Sequence, residues 1–292
     1  MRRLLLSLGL LAAGTAAAVT GAMESTAAAS PSLAGTIRYA SYNAQALDGT
    51  VHYAVYFPPD YQSSTLHYPV IYFLHGLPAS AQTYQSITPI AQALEEAGDQ
   101  AIVIGVQGAR TDDTDPEWLN WGPGRNWETA TAKELVRVVD SRYRTIANRS
   151  GRMLVGISAG GYGATLIALH NPSVYSVVES WSGYFQPTNP AGTAAIDLGS
   201  TKANNWANAH TLIPRLRHSL TAAGGHGHFS FYVGTNDSLF RAENERLYRE
   251  IRAAGITGVV FRLYNGAHGW SLWSEHAEAW LTTGLAAAAK PQ

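Results

Sequence analysis

The sequence predicts an α/β fold: a mostly parallel β-sheet with helices on both faces and an antiparallel hairpin at its N-terminal side. Three observations carry this. Short apolar runs rich in β-branched and aromatic residues recur at 68–74, 101–106, 152–157, 174–181, 229–233 and 259–264. They are continuously apolar rather than alternating, as strands covered on both faces are. Segments of helical length lie between them, and strands alternating with helices build a parallel sheet.

Taken in order, the chain opens on two arginines, Arg2 and Arg3, followed by an apolar run from Leu4 to Ala22 and the small residues Ala27-Ala28-Ala29. That is the pattern of a secretory signal cleaved after Ala29, and it predicts a secreted protein with residues 30–292 as a single domain. The apolar run is about long enough to span a bilayer. Its second half is Ala, Gly and Thr, so the expectation is cleavage and no stable membrane association afterwards. The hairpin comes next: 36–42 and 50–57 alternate apolar and polar residues around Asp48-Gly49, a turn pair suited to tight hairpins. Helices are predicted near 80–97, 128–141, 159–170, 204–220, 238–254 and 272–286. In the fifth, Glu243, Leu247 and Ile251 recur at helical spacing. Two long irregular stretches, 109–127 and 184–203, interrupt the pattern; such loops in a compact domain are usually functional or mobile.

The whole sequence has 292 residues, of which 46% are hydrophobic and 14% charged, with a formal net charge of -1. This excludes a disordered chain and gives no basic stripe for nucleic acid. There is no cysteine, so stability in an oxidising space rests on core burial alone.

The chemistry concentrates at strand ends. Gly156-Ile157-Ser158-Ala159-Gly160 follows the apolar run 152–157 and opens the segment GGYGATLIALH. G-x-S-x-G between a strand and a helix is a nucleophile elbow, the mark of an α/β-hydrolase fold. The tight turn lifts the serine hydroxyl above the sheet, and the glycines leave room where side chains would clash. A serine that only caps the helix is the plainer reading; both glycines and the preceding strand argue against it.

Such a serine needs a base, and the base an orienting acid, in the chain order Ser, Asp or Glu, His. Of His210, His218, His226, His228, His268 and His276, only His268 lies in a short glycine-flanked loop after a late strand, in Asn265-Gly266-Ala267-His268-Gly269-Trp270. His276 falls inside the last helix and reads as a surface residue, as do His226 and His228. An H-x-H pair alone lacks the ligands of a metal site. The acid is read as Asp237, where the run 229–233 ends in Gly234-Thr235-Asn236-Asp237; the plain alternative is a helix N-cap. Asp197 sits in an irregular stretch, away from any strand end. Two backbone N–H groups must meet the oxyanion: Ala159, after the nucleophile, and Leu77, in the loop His75-Gly76-Leu77-Pro78 after an early strand. His75 reads as structural. Trp118 and Trp121, in 109–127, and Trp270 are candidate substrate contacts, with 109–127 forming one wall of the site.

These residues resemble the esterase D-like ("putative esterase") family of α/β hydrolases, which includes feruloyl and acetylxylan esterases, S-formylglutathione hydrolases, enterochelin esterases and mycolyltransferases. The resemblance runs through FLHG (73–76), KELVRVVDSRYRT (133–145), GISAGGYGA (156–164), WSGYF (181–185), GTND (234–237) and HGWSLW (268–273), over roughly residues 36–287. It implies a Ser-Asp-His triad at the positions above, with no metal and no other cofactor. The spacing His268-x-Trp270-x-x-Trp273 is similar to that of mycolyltransferases; those enzymes tend to carry Glu as the acid and Met after the serine, where this chain has Asp237 and Ala159. The expected function is a secreted serine ester hydrolase acting on a small-molecule or polysaccharide-linked ester. The alternatives are an acyltransferase, with a sugar hydroxyl in place of water, and a non-catalytic binding module on a hydrolase scaffold.

Overall fold

The computed structural model describes residues 33–221 and 227–292; the expected signal segment and His226 lie outside the described residues. Eight strands form one sheet: β1 (Thr36–Ala44), β2 (Gly49–Phe57), β3 (Val70–Leu74), β4 (Ile102–Val106), β5 (Arg152–Ile157), β6 (Val177–Trp181), β7 (His228–Gly234) and β8 (Val259–Tyr264). Their spatial order is β1-β2-β4-β3-β5-β6-β7-β8. β1 and β2 form the expected antiparallel hairpin, β2 pairs antiparallel with β4, and β4, β3, β5, β6, β7 and β8 run parallel. The hairpin turn is wider than a two-residue loop. A 3₁₀ turn over Gln45–Leu47 precedes Asp48, which takes the left-handed conformation and donates its N–H to the Gln45 carbonyl.

The helices are α1 (Thr88–Ala97), α2 (Trp127–Thr129), α3 (Val136–Arg142), α4 (Ala159–His170), α5 (Thr201–Trp206), α6 (Ile213–Thr221), α7 (Arg241–Ala253) and α8 (Trp270–Ala287); a π-helical stretch, Ala130–Leu135, joins α2 to α3. The central strands feed two cores by simple alternation. Val70, Tyr72 and Leu74 enter the core that contains α4 and Leu247 and Ile251 of α7, whereas Ile71 and Phe73 enter the core built with α1 and α8. All of α4 except its last residue is buried, as a helix must be when the sheet covers one side and other helices cover the rest. α8 instead buries one stripe, Leu272, Trp273, Ala277, Trp280, Leu281 and Leu285.

Some boundaries differ from the sequence expectation. The segment expected as one helix over 204–220 is split between α5 and α6 by a 3₁₀ turn, where the Asn208 side chain accepts from the His210 N–H. The buried stripe of α7 runs through Asn244 rather than Glu243; the Asn244 amide donates to the Gly183 carbonyl behind β6 at 2.7 Å. His228 is not a surface residue: it opens β7 half-buried. His276 is half-buried as well, its ring stacked on Tyr264 with centroids 3.6 Å apart. The functional consequence of the fold is at one edge. The carboxyl ends of β3, β4, β5, β6, β7 and β8 lie together there, which is where open α/β sheets bind ligands.

Candidate active site

Ser158 follows β5 directly, with φ 53° and ψ −122°. For a residue with a side chain this is a strained conformation, and it persists because the chain must turn at once from strand into helix. A Cβ on Gly160 would lie 2.0 Å from the Leu74 carbonyl oxygen, so only glycine lets α4 start so close to β3. The Ser158 N–H is held by the Trp181 carbonyl at 2.9 Å. The side chain is nearly buried, at 7% exposure.

His268 lies in the loop between β8 and α8. Its Nε2 is 2.9 Å from Ser158 Oγ and its Nδ1 is 2.7 Å from Asp237 Oδ2. Phe240 and Trp273 flank the imidazole edge-on, each with centroids 5.2 Å away. Asp237, 2% exposed, does two jobs with two oxygens. Oδ2 takes the histidine, while Oδ1 accepts the Leu239 and Phe240 N–H groups at 3.1 and 3.0 Å. The capping role weighed against it in the sequence is therefore also present, and it fixes the carboxylate that orients the ring. Asp197, by contrast, is bonded to Gly199 and Asn204 in an exposed turn.

The loop after β3 comes up against Ser158. A Cβ on Gly76 would meet Ser158 Cβ at 2.9 Å and the Ile157 carbonyl at 3.0 Å, so glycine is required for that approach. The Leu77 N–H has no partner among the described residues. Ala159 is the first residue of α4, where N–H groups have no intrahelical acceptor. His75 braces this loop: its Nε2 accepts from the Gly108 N–H at 3.2 Å and its Nδ1 donates to the Gly76 carbonyl at 3.0 Å. Burial pushes its pKa down to about 4, which keeps the ring neutral and suited to both bonds.

Ser158 and His268 open into a cavity of about 360 Å³. The stretch 109–127 does form one wall, but through Thr114 and Asp115 rather than its tryptophans. Trp118 is 3% exposed. Its ring lies against His75, centroids 5.1 Å apart, and a Cβ on Gly108 or Gly163 would fall within 2.2 or 2.5 Å of it. It is a packing residue, and its expected place against substrate is corrected accordingly. Trp121 and Trp270 are exposed, but neither lines the cavity. Trp121 donates to the Pro116 carbonyl at 2.7 Å and lies under Arg125. Trp270 stands edge-on to Trp273.

The opposite wall comes from the second long loop, Asn189 to Gly192, with Tyr184, Leu239 and Phe240. The two walls are tied by Glu117. Its carboxyl is 1% exposed, faces the Tyr184 hydroxyl at 2.7 and 2.9 Å and accepts the Thr188 N–H at 3.2 Å. Burial, reinforced by Asp115, pushes Glu117 up to about 8. The sequence reading missed Asp115, Glu117, Tyr184 and Phe240. Tyr184 was signalled by its place just after an apolar strand and within the WSGYF segment, and Asp115 and Glu117 only by an acidic run in a long loop. Among the described residues, no three His, Asp or Glu side chains gather so as to hold a metal ion.

The sequence profile of the family described as "Putative esterase" matches residues 44–279. Esterase Rv1288 of Mycobacterium tuberculosis is 31% identical over 130 residues, which is 44% of this chain and 28% of that protein. The chain thus spans little more than a quarter of that relative's length. Diacylglycerol acyltransferase/mycolyltransferase Ag85A of Mycobacterium leprae is 24% identical over 249 residues, covering 74% of each chain. Among solved structures, a ferulic acid esterase superposes with a TM-score of 0.70 at 21% identity, over 87% of this chain and 98% of that one. At that identity the likeness speaks for the α/β-hydrolase fold alone.

Proposed function

This chain belongs to the "Putative esterase" family; from that premise we propose that it is a secreted serine carboxylic-ester hydrolase working through an acyl-enzyme on Ser158. One observation carries the reading: Asp237 Oδ2, the His268 ring and Ser158 Oγ form a continuous hydrogen-bonded chain, with steps of 2.7 and 2.9 Å, at the floor of a cavity.

In this reading Ser158 Oγ attacks the ester carbonyl carbon and its proton passes to His268 Nε2. Asp237 holds the ring with Nδ1 protonated and stabilises the imidazolium. The carbonyl oxygen, now negative, is met by the N–H groups of Leu77 and Ala159. Collapse breaks the bond to the alcohol oxygen, which leaves with the proton from Nε2. Water then attacks the acyl-enzyme, gives its proton to Nε2, and the acid departs as that proton returns to Ser158. A cavity of about 360 Å³ suits a compact group beside the ester rather than a long lipid chain. The acyltransferase reading rests on the match to a mycolyltransferase over 74% of each chain. It differs in one step, a sugar hydroxyl replacing water.

The test is hydrolysis of p-nitrophenyl acetate together with labelling by a fluorophosphonate probe. Ser158→Ala should lose labelling and lower kcat on the order of 10⁶-fold, with the fold retained by circular dichroism. Asp237→Asn should lower kcat by about 10⁴-fold. Labelling that persists in Ser158→Ala removes Ser158 from this role. Product analysis with a sugar acceptor present separates transfer from hydrolysis.

A further inference from the structure

The 109–127 wall of the cavity carries a carboxyl that the proposed reaction does not use. Asp115 lines the cavity with Ser158 and His268, and no lysine or arginine lines it. Nearby cations are committed elsewhere. Arg125 makes a two-pronged contact with Asp113 at 2.6 and 3.0 Å, and Arg110 donates to the Leu47 and Gly124 carbonyls.

Two other polar side chains of the cavity are also occupied. The Tyr184 hydroxyl is spent on Glu117. The Asn189 amide is spent on Thr193 and Ala194. Asp115 receives a bond from the Glu117 N–H, which leaves most of its acceptor sites free. Nor can the residue swing away freely. The chain just after it takes φ 52° at Glu117 and 55° at Trp118, held by the burial of Trp118 and by the Glu117 brace.

We propose that Asp115 is a specificity-determining residue that selects substrate by charge: the cavity accepts neutral or cationic esters that present a hydroxyl or ammonium donor to Asp115, and rejects esters carrying a carboxylate. The physical basis is that a partly buried carboxyl without a counter-cation repels a second anion strongly and is stabilised by a donor. Asp113 and Glu117 act on Asp115 from its own loop, and Tyr184 and His268 line the same cavity. Burial, with Asp113 adding its charge, raises Asp115 to about 6, so it is charged in an assay at pH 8. Glu117, with a pKa of about 8, is substantially protonated there and adds only part of a negative charge.

This proposal rests on the esterase reading, and matched substrate pairs keep the two separable. On the alcohol side the pair is 4-carboxybenzyl acetate and its neutral isostere 4-carbamoylbenzyl acetate; on the acyl side it is p-nitrophenyl monosuberate and its neutral amide. Hydrolysis of p-nitrophenyl acetate reports the esterase reading, and the neutral-to-anionic ratio of kcat/KM within a pair reports Asp115. The wild type should prefer the neutral member by about tenfold or more in at least one pair. Asp115→Asn, of the same shape, should bring that ratio to within about threefold of unity, and Asp115→Lys should invert it. The affected pair identifies which half of the ester fills the cavity. Equal rates for both members in the wild type, or a ratio unchanged in Asp115→Asn, overturn the proposal while leaving the esterase reading standing. An enzyme that hydrolyses none of these esters overturns both.

Discussion

Replacing Glu117 by Gln removes one titrating group from the brace between the two walls of the cavity while keeping its shape. In the folded protein the Glu117 carboxyl is raised by burial from 4.5 to about 8. A raised carboxyl favours the folded state fully only below its unfolded pKa, and that contribution is lost as pH rises towards the folded value. Between about pH 4.5 and 8 the unfolded chain releases the proton and the folded chain keeps it, so stability falls. With 1.36 kcal/mol per pKa unit, the penalty is below about 1 kcal/mol at pH 5 and on the order of 4–5 kcal/mol at pH 8.5. The amide of Gln pays none of it. Thermal unfolding of the two proteins should therefore diverge with pH. For a domain of this size about 2–4 °C corresponds to 1 kcal/mol, so the Tm of Glu117→Gln relative to wild type should rise by roughly 10 °C from pH 5 to pH 8.5. His75, lowered by burial to about 4, has the opposite sign, costing stability as pH falls below about 6.5 in both proteins alike, and it cancels in the comparison. A Tm difference independent of pH would falsify the assignment of a neutral, buried Glu117.

Trp118→Ala should destabilise the fold by about 3–5 kcal/mol, the cost of emptying a buried aromatic site, measured by chemical denaturation. A shift in substrate preference with stability unchanged would return Trp118 to the substrate. Export should leave a protein beginning near Ser30; N-terminal sequencing that finds Met1 on membrane-bound protein refutes cleavage.

Much of this protein could be read before any coordinates. The six parallel strands are written as short apolar runs that need only their own composition to be recognised, because a strand covered on both faces has no polar side to show. Ser158, Asp237 and His268 stand 79 and 31 residues apart in the sequence. Each follows its strand within a few positions, so three local signals and the parallel topology suffice to bring them to one edge. The Gly-flanked elbow is equally local.

What only the tertiary structure decided depends on contacts between distant segments. Nothing in the run of 109–127 says that Trp118 turns inward; that follows from Gly108 and Gly163, which leave its ring space, one near β4 and the other on α4. Once Trp118 is committed to the core, the chain around it is fixed, Glu117 is buried against Tyr184, and Asp115 is left facing the cavity. An acidic residue in a long loop looks solvated in sequence, because desolvation is a property of its neighbours and not of the residue. The meeting of Ser158, His268 and Asp237 in one hydrogen-bonded chain was legible because strand ends are local features. The wall carrying Asp115 was not, because burial and charge environment exist only once the loops have packed.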